Sequence, residues 1–230
     1  SSLFGIKSNM QFGKLKVSAL ASQQRSSVQN VSTKGGVQKV KFDIPIDQYD
    51  ANRHFFLAQY FRDTYDKNML QLPYITSGIT INRIEVWVTN KRAQFEQARN
   101  ILAFTDLGEA AKKNNNYWTT TSPDPIPKNT SNSLYNEIKS IPNIRDIQQF
   151  VQIMDNPPYN GLGIAGGEDF EKVESARKLD PSEYTLNSTL GFVSLHQSLQ
   201  PDEVLAVAFE YTYGGKVYRV GEFSTDGINA

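Results

Sequence analysis

The sequence predicts an α+β fold: mainly antiparallel β-sheet packed by a long helix, with a helical middle segment and a C-terminal β-hairpin unit. Three observations carry this. Residues 79–89 and 203–213 are rich in β-branched and aromatic side chains and alternate with period two, as sheet strands do. Gly214 and Gly215 stand between two such runs, where a two-residue hairpin turn needs positive φ at both positions. Leu57, Phe61, Tyr65 and Met69 recur every four residues, with Phe56 and Tyr60 beside them, which is the spacing of one helix face.

In chain order, residues 13–21 alternate, with Leu15, Val17, Ala19 and Ala21 on one side. This is the pattern of a half-buried strand; its length also suits a membrane-spanning β-strand of roughly 9–11 residues, though an ordinary sheet strand is the better reading. A polar loop follows, ending in Lys34-Gly35-Gly36. Val40, Phe42, Ile44 and Ile46 then form a second strand, and Pro45, which has no N–H, places its end at an edge. Asp47 and Asp50 offer caps for a helix over 51–69 that stops at Leu72-Pro73. In 79–89, Ile84, Val86 and Val88 share one face while Ile81 and Trp87 lie on the other, so this strand is central. Residues 100–105 read as its hairpin partner across 94–99.

Residues 108–132 are turn chemistry: Lys112-Lys113-Asn114-Asn115-Asn116, then Pro123, Pro125 and Pro127, an exposed loop. Ser133 caps a short helix with Leu134, Ile138 and Ile141 inward. Asn143 caps a second, with Ile144, Ile147, Val151 and Met154 on one stripe and Pro157-Pro158 as its stop. The last third is β-rich: 191–195, a turn at 199–202, 203–213 with Leu205, Val207, Phe209, Tyr211 and Tyr213 on one face, and 217–223 returning after the glycines. The units are 1–110, 111–165 and 166–230, with one composite domain as the alternative.

Composition narrows the function. The 230 residues are 39% hydrophobic and 21% charged, ordinary for a folded protein. Lys plus Arg and Asp plus Glu are 24 each, so the chain lacks the basic footprint of a nucleic-acid binder or of a peripheral membrane protein. There is no cysteine, which removes disulfides, thiolate metal sites and cysteine nucleophiles together. No apolar run reaches the length of a membrane helix. The opening Ser1-Ser2-Leu3 reads as that of a fragment or processed product.

The chemical motifs are weak. Gly161, Gly163 and Gly166 match GxGxxG, but a helix and Pro157-Pro158 precede them where a dinucleotide site needs a strand; a helix over 168–179 is conceivable, without a βαβ unit around it. His54 and His196 are the two histidines, with no HExxH, and nothing selects a nucleophile or an orienting acid for either. Asp43, Asp47 and Asp50, or Asp63 and Asp66, lack the calcium-loop register and read as caps and solvated faces. Asn30, Asn129 and Asn187 begin N-x-[ST] triplets of ordinary loop composition.

Several blocks nonetheless resemble the SprA/Sov family. They are residues 52–63 (NRHFFLAQYFRD), 81–90 (INRIEVWVTN), 99–109 (RNILAFTDLGE), 169–178 (DFEKVESARK) leading into 184–195, and 206–223 (AVAFEYTYGGKVYRVGEF), together about half the chain. No block is a catalytic signature; their joint order carries the resemblance. It implies a very large outer-membrane β-barrel of Bacteroidetes-type bacteria, the translocon of type 9 protein secretion, on which gliding motility depends in some species. This chain would then be a soluble insertion between barrel strands at the cell surface. Its implied partners are a PorV-like barrel subunit, a plug protein and secreted cargo proteins, and it meets the membrane through the rest of the full-length chain. Residues 13–21 and the end after Phe223 would be stubs of that barrel. The resemblance implies no catalysis, cofactor or metal. The candidate contact elements are loops, Pro123, Pro125 and Pro127 in one and Gly161, Gly163 and Gly166 in another, because loops on a rigid scaffold usually carry contacts. The rival readings are an independent secreted adhesin or glycan-binding β-domain, and a hydrolase whose carboxylate pair forms only in space.

Overall fold

The computed structural model describes residues 2–12, 15–25, 50–91, 97–110, 118–122, 124–154, 156 and 164–226. The chain divides into two units, 1–47 and 48–230. In the first, β1 (Ser2–Phe12) pairs antiparallel with β2 (Leu15–Arg25), in register from Ser2↔Arg25 to Phe12↔Leu15. The strand expected at 13–21 is seen from Leu15 and runs on to Arg25, while residues 13 and 14 lie outside the described residues. Its partner is β1, where Phe4, Ile6, Met10 and Phe12 alternate in a way the sequence reading passed over. The strand expected at 40–46 lies outside the described residues, as do the caps Asp43 and Asp47.

The second unit is α+β and mostly β. A five-stranded antiparallel sheet has the order β10 (Lys216–Val220), β9 (Leu205–Tyr213), β4 (Ile79–Val88), β6 (Phe170–Lys178), β5 (Arg99–Phe104). A three-stranded antiparallel sheet has the order β3 (His54–Phe56), β8 (Phe192–Leu195), β7 (Tyr184–Asn187). The helices are α1 (Gln59–Asn68), α2 (Leu134–Ser140) and α3 (Ile147–Met154). No helix among the described residues is long and apolar enough to cross a membrane.

The expected long helix over 51–69 is corrected to the ten residues of α1. Asn52 takes φ 58°, a left-handed conformation that breaks a right-handed helix before it starts. His54, Phe55 and Phe56 then pair with Ser194, Val193 and Phe192 as a strand. Ala58 precedes α1 without a side-chain cap, and the first helical amide, Gln59 N–H, donates to Glu109 Oε1 at 2.9 Å. A carboxylate fifty residues away thus starts the helix that Asp50 was expected to cap.

β4 is central, as expected, but its neighbours are β9 and β6. Residues 99–104 do form a strand, yet it pairs with β6 from Phe104↔Phe170 to Arg99↔Ala176, not with β4. The helix conceived over 168–179 is therefore strand β6. The bulge Ser175, at φ 51°, interrupts its pairing, and its amide donates to Asn100 Oδ1.

A second bulge rearranges the faces of β4. Ile81 pairs with Tyr211 and Arg83 with Glu210, so Asn82 is an extra residue. One extra residue shifts the period-two pattern by one, and Ile79 and Ile81 join Ile84, Val86 and Val88 on a single face. The expectation that Ile81 faces away from Val86 fails for this reason. That face, with Phe209 and Tyr211 of β9, packs against Phe61 and Leu57 and against Val193 and Leu195 of the small sheet. Phe61 is 2% exposed and stacks edge-on to Tyr211 at 5.7 Å. On the opposite face Trp87, Val173 and Ala176 form a smaller cluster, and Ile144, Phe150 and Met154 of the helical segment pack on Leu102, Phe104 and Phe170. The β9–β10 hairpin turns at Gly214 (φ 56°) and Gly215 (φ 76°), as the two glycines predict.

The expected exposed loop over 108–132 is corrected in its described part, residues 111–117 and 123 lying outside the described residues. Trp118, Pro127, Ser131 and Asn132 are fully buried. Tyr211 donates its hydroxyl to the Pro127 carbonyl at 2.7 Å, and burial raises the phenol's pKa above its ordinary value, so it stays a donor. Asn129 exchanges two hydrogen bonds with the backbone of Gly221. Ser133 does not cap α2 with its side chain; Asn132 Oδ1 accepts from Leu134 N–H instead. At α3 the Asp146 carboxylate, not Asn143, accepts from Gln148 N–H.

Candidate functional site

A cavity of about 460 Å³ opens on the Trp87 face of the large sheet. Its size arises from the sequence of β9. Ala206 and Ala208 stand opposite Trp87 and Glu85 in register, and two methyl groups leave the floor low where larger side chains would fill it. Strand β5 forms one wall, and Ile138 and Ile144 of the helical segment another. The volume falls within the range of about 300–1,000 Å³ usual for ligand pockets.

Three carboxylates line the cavity, and each has an internal task. Glu85, 3% exposed, accepts from Lys178 Nζ at 2.8 Å and from the amide and hydroxyl of Ser224 at 2.9 and 2.8 Å. Burial by itself would raise its pKa; these three donors outweigh burial and hold it below the ordinary value. Glu222 Oε1 accepts from Tyr135 Oη at 3.0 Å and Arg145 Nη2 at 2.8 Å. Burial, and then the bond to Glu222, push the Tyr135 phenol up to about 12, so it remains a donor. Glu109 caps α1. Glu85 thus ties β4 to β6 and to the segment after β10, and its depressed pKa makes that tie acid-labile. Its contribution is complete above the ordinary carboxylate range and is lost as pH falls through the depressed value. Glu85→Gln should lower stability by about 1–2 kcal/mol at neutral pH, and the gap to the unsubstituted chain should close as pH falls. Urea midpoints of both proteins across pH check this; a gap independent of pH would refute the linkage.

Away from the cavity, Ser194 Oγ lies 2.8 Å from His54 Nδ1, and Asp50 Oδ2 lies 3.3 Å from His54 Nε2. Sequence spacing could not reveal this trio, because β8 reaches His54 only through strand pairing. Its surroundings favour a cross-strand polar chain over acyl transfer. Asp50 is bound by Arg53 at 3.0 and 3.2 Å, which holds its pKa low. The Leu195 amide, next to the serine, donates to the Arg53 carbonyl at 2.8 Å instead of pointing at a developing oxyanion. His196 bonds Thr185 at 3.0 Å. Asp63 pairs with Arg62, and Asn187 closes a turn through the Leu190 amide.

The predicted contact residues are scattered. Pro123, Gly161 and Gly163 lie outside the described residues. Pro125 is exposed, whereas Pro127 is buried in the loop that the Tyr211 hydroxyl holds and presents no surface. Gly166 is exposed beside Phe170, where the two residues form an isolated parallel bridge. None of the described ones lines the cavity, which is built mostly from residues the sequence reading assigned to strands and helices, with Arg99 from the expected hairpin connection and Glu109 from the expected loop.

Comparison with known proteins sets this geometry in a family. No curated protein matches the chain. The family model SprA_N, described as motility related/secretion protein, matches residues 1–198, which include both the hairpin of the first unit and most of the second. The blocks that resembled SprA/Sov lie mostly within that span. The chain belongs to the SprA_N family of motility-related and secretion proteins.

Proposed function

We propose that this chain is a folded, non-catalytic insertion of an outer-membrane protein-translocation channel, acting in type 9 protein secretion and gliding motility. The observation that carries the reading is the family match over residues 1–198, described in terms of motility and secretion. It agrees with the ordered blocks of SprA/Sov resemblance. The site geometry supports a binding role over a chemical one, since the carboxylates of the cavity all serve the fold. In this reading the chain sits in the cell envelope as part of a much larger protein, and its working contacts are with a barrel subunit, a plug and passing cargo.

The test uses source cells. An antibody raised against the chain should detect a very large band in the outer-membrane fraction. In-frame deletion of residues 40–222 should abolish cargo export and gliding while the band, shortened, stays in the membrane. A small secreted band near the mass of this chain would overturn the reading and favour a free adhesin or glycan-binding module.

A further inference from the structure

Large apolar side chains stand in water on the segment that follows α1. Leu70 is 78% exposed, Leu72 59%, Tyr74 76% and Ile75 40%. Every residue from Leu70 to Thr76 is exposed, and no charged residue occurs between Lys67 and Arg83. Apolar residues scattered singly over a surface are ordinary; a contiguous exposed group marks a contact. Side chains three-quarters exposed, as Leu70 and Tyr74 are, project from the surface and line no groove. The segment also closes much of its own backbone. The amides of Met69, Leu70, Tyr74 and Thr76 donate to the carbonyls of Asp66, Lys67, Gln71 and Asn68 at 3.1, 3.4, 2.9 and 3.2 Å. Pro73 has no amide to satisfy. A backbone bonded in this way loses less on leaving water, because unpaired polar groups are what an apolar medium penalises.

We propose that residues 70–75 form a lipid-contacting loop, whose leucine, isoleucine and tyrosine side chains enter the interface of a bilayer. Three features select lipid over a protein partner. Protruding side chains need a matching cup on a protein, whereas a bilayer closes around whatever enters it. A protein interface surrounds its apolar centre with a polar, often charged rim, and residues 68–82 contribute no charge to one. Tyr74 carries an apolar ring with a polar tip, the kind of side chain that collects at the membrane–water boundary. Gln71, in the middle of the segment, keeps the insertion shallow. The chain's zero net charge gives anionic lipid no general attraction, so the contact is apolar and insensitive to salt. The proposal goes beyond the translocon reading, in which the membrane is met through the rest of the protein, and does not depend on it.

The probe is a vesicle of zwitterionic phosphatidylcholine, sedimented with the purified chain. The bound fraction should rise with lipid and change less than about twofold between about 0.1 and about 0.5 M salt. Leu70→Ser and Leu72→Ser should each weaken partitioning about three- to tenfold, and the double variant further. Both residues are exposed and support no core, so the variants keep the fold. Val217→Ser is the control: it removes a 62% exposed apolar side chain from β10 and should change nothing. Tyr74→Trp gives a local reading, because the two native tryptophans, Trp87 and Trp118, are 6% and 0% exposed. Its emission should shift to the blue with vesicles and be quenched by lipid brominated on the acyl chain. Failure to sediment with vesicles, equal binding by the leucine variants, or binding lost in high salt would overturn the proposal. So would a dimer that Leu70→Ser dissociates without any vesicle binding, which would give the loop to a second copy of this chain. A chain that ignores vesicles, with export still dependent on residues 40–222 in cells, would leave the translocon reading standing, so the two can fail separately.

Discussion

Gly191→Ala is expected to be among the most destabilising single-methyl changes in this chain. Gly191 has φ 68°, where an alanine costs about 1–2 kcal/mol by itself. A Cβ built there would lie 2.5 Å from Cγ of Phe61, with two more ring atoms at 2.6 and 2.8 Å. That ring cannot retreat. It is 2% exposed and held by Phe209 at 5.8 Å and Tyr211 at 5.7 Å. Nor can the backbone retreat easily, because the Gly191 carbonyl accepts from Leu57 N–H and its amide donates to the Asn187 carbonyl, both at 3.0 Å. Overpacking of a tight core adds about 1–3 kcal/mol, for a total of about 2–5 kcal/mol. Gly215→Ala is the control, since it sits at φ 76° with no heavy atom within 4 Å of its Cβ position and incurs the backbone cost alone. The urea midpoint should fall much further for Gly191→Ala than for Gly215→Ala, and Phe61→Leu in the Gly191→Ala background should cost less than in the native background. Equal losses for the two glycines would show that the ring contact is not the constraint.

Phe61 and Gly191 also illustrate what could be read from the sequence. The periodic apolar spacing of 57–69 identified Phe61 as core, and the tertiary structure agrees. The same spacing over-extended the helix, because the αL turn at Asn52 and the pairing of His54–Phe56 with β8 depend on residues some 140 positions later. The strand at 79–89 and the glycine hairpin were legible because their information is local: period-two alternation, and a turn that glycine accommodates. The hairpin turn also named its own partner strand, whereas the neighbours of the strand at 79–89 were not legible, because period two is the same for every neighbour. Thus β5 was recognised as a strand and given the wrong partner. The face of Ile81 was misread because the bulge at Asn82 leaves no mark in composition. The cavity is the extreme case. Its floor is two alanines, which carry no functional signal in a sequence, and its charged lining, three carboxylates and three cations, comes from separate elements that only the fold brings together. The loops proposed as contacts were chosen for proline and glycine content, and Pro127 shows how that rule fails: a turn residue can be interior when its carbonyl has a buried donor.

Asn132 is where that interior loop is fastened, and its replacement should release it. The residue is 0% exposed. Its Nδ2 donates to the carbonyls of Asp106 and Glu109 at 2.8 and 2.9 Å, and its Oδ1 accepts from Leu134 N–H at 3.0 Å. One side chain thus closes the turn after β5, positions Glu109 to start α1, and caps α2. Asn132→Leu keeps the volume and removes all three bonds. The Asp106 carbonyl retains Glu109 N–H at 3.1 Å, so the main losses fall on the Glu109 carbonyl and the Leu134 amide. Each buried group left without a partner costs about 1–3 kcal/mol, so about 3 kcal/mol or more is expected in sum. Asn132→Asp should be at least as damaging at neutral pH, because it keeps the acceptor for Leu134 and aims a carboxylate at two carbonyls; acid should partly restore it by supplying a proton to donate. Asn136→Ala, on the exposed side of α2, should stay within about 0.5 kcal/mol. Thermal midpoints rank the variants. Tryptic cleavage after Lys128 gives the local reading, because Lys128 N–H is bound to the Gly108 carbonyl at 3.0 Å in the same fastening. In Asn132→Leu that cleavage should precede global unfolding. Cleavage there only on global unfolding would mean that the loop is held by Tyr211 and Asn129 without Asn132, and that the three bonds are not what keeps it interior.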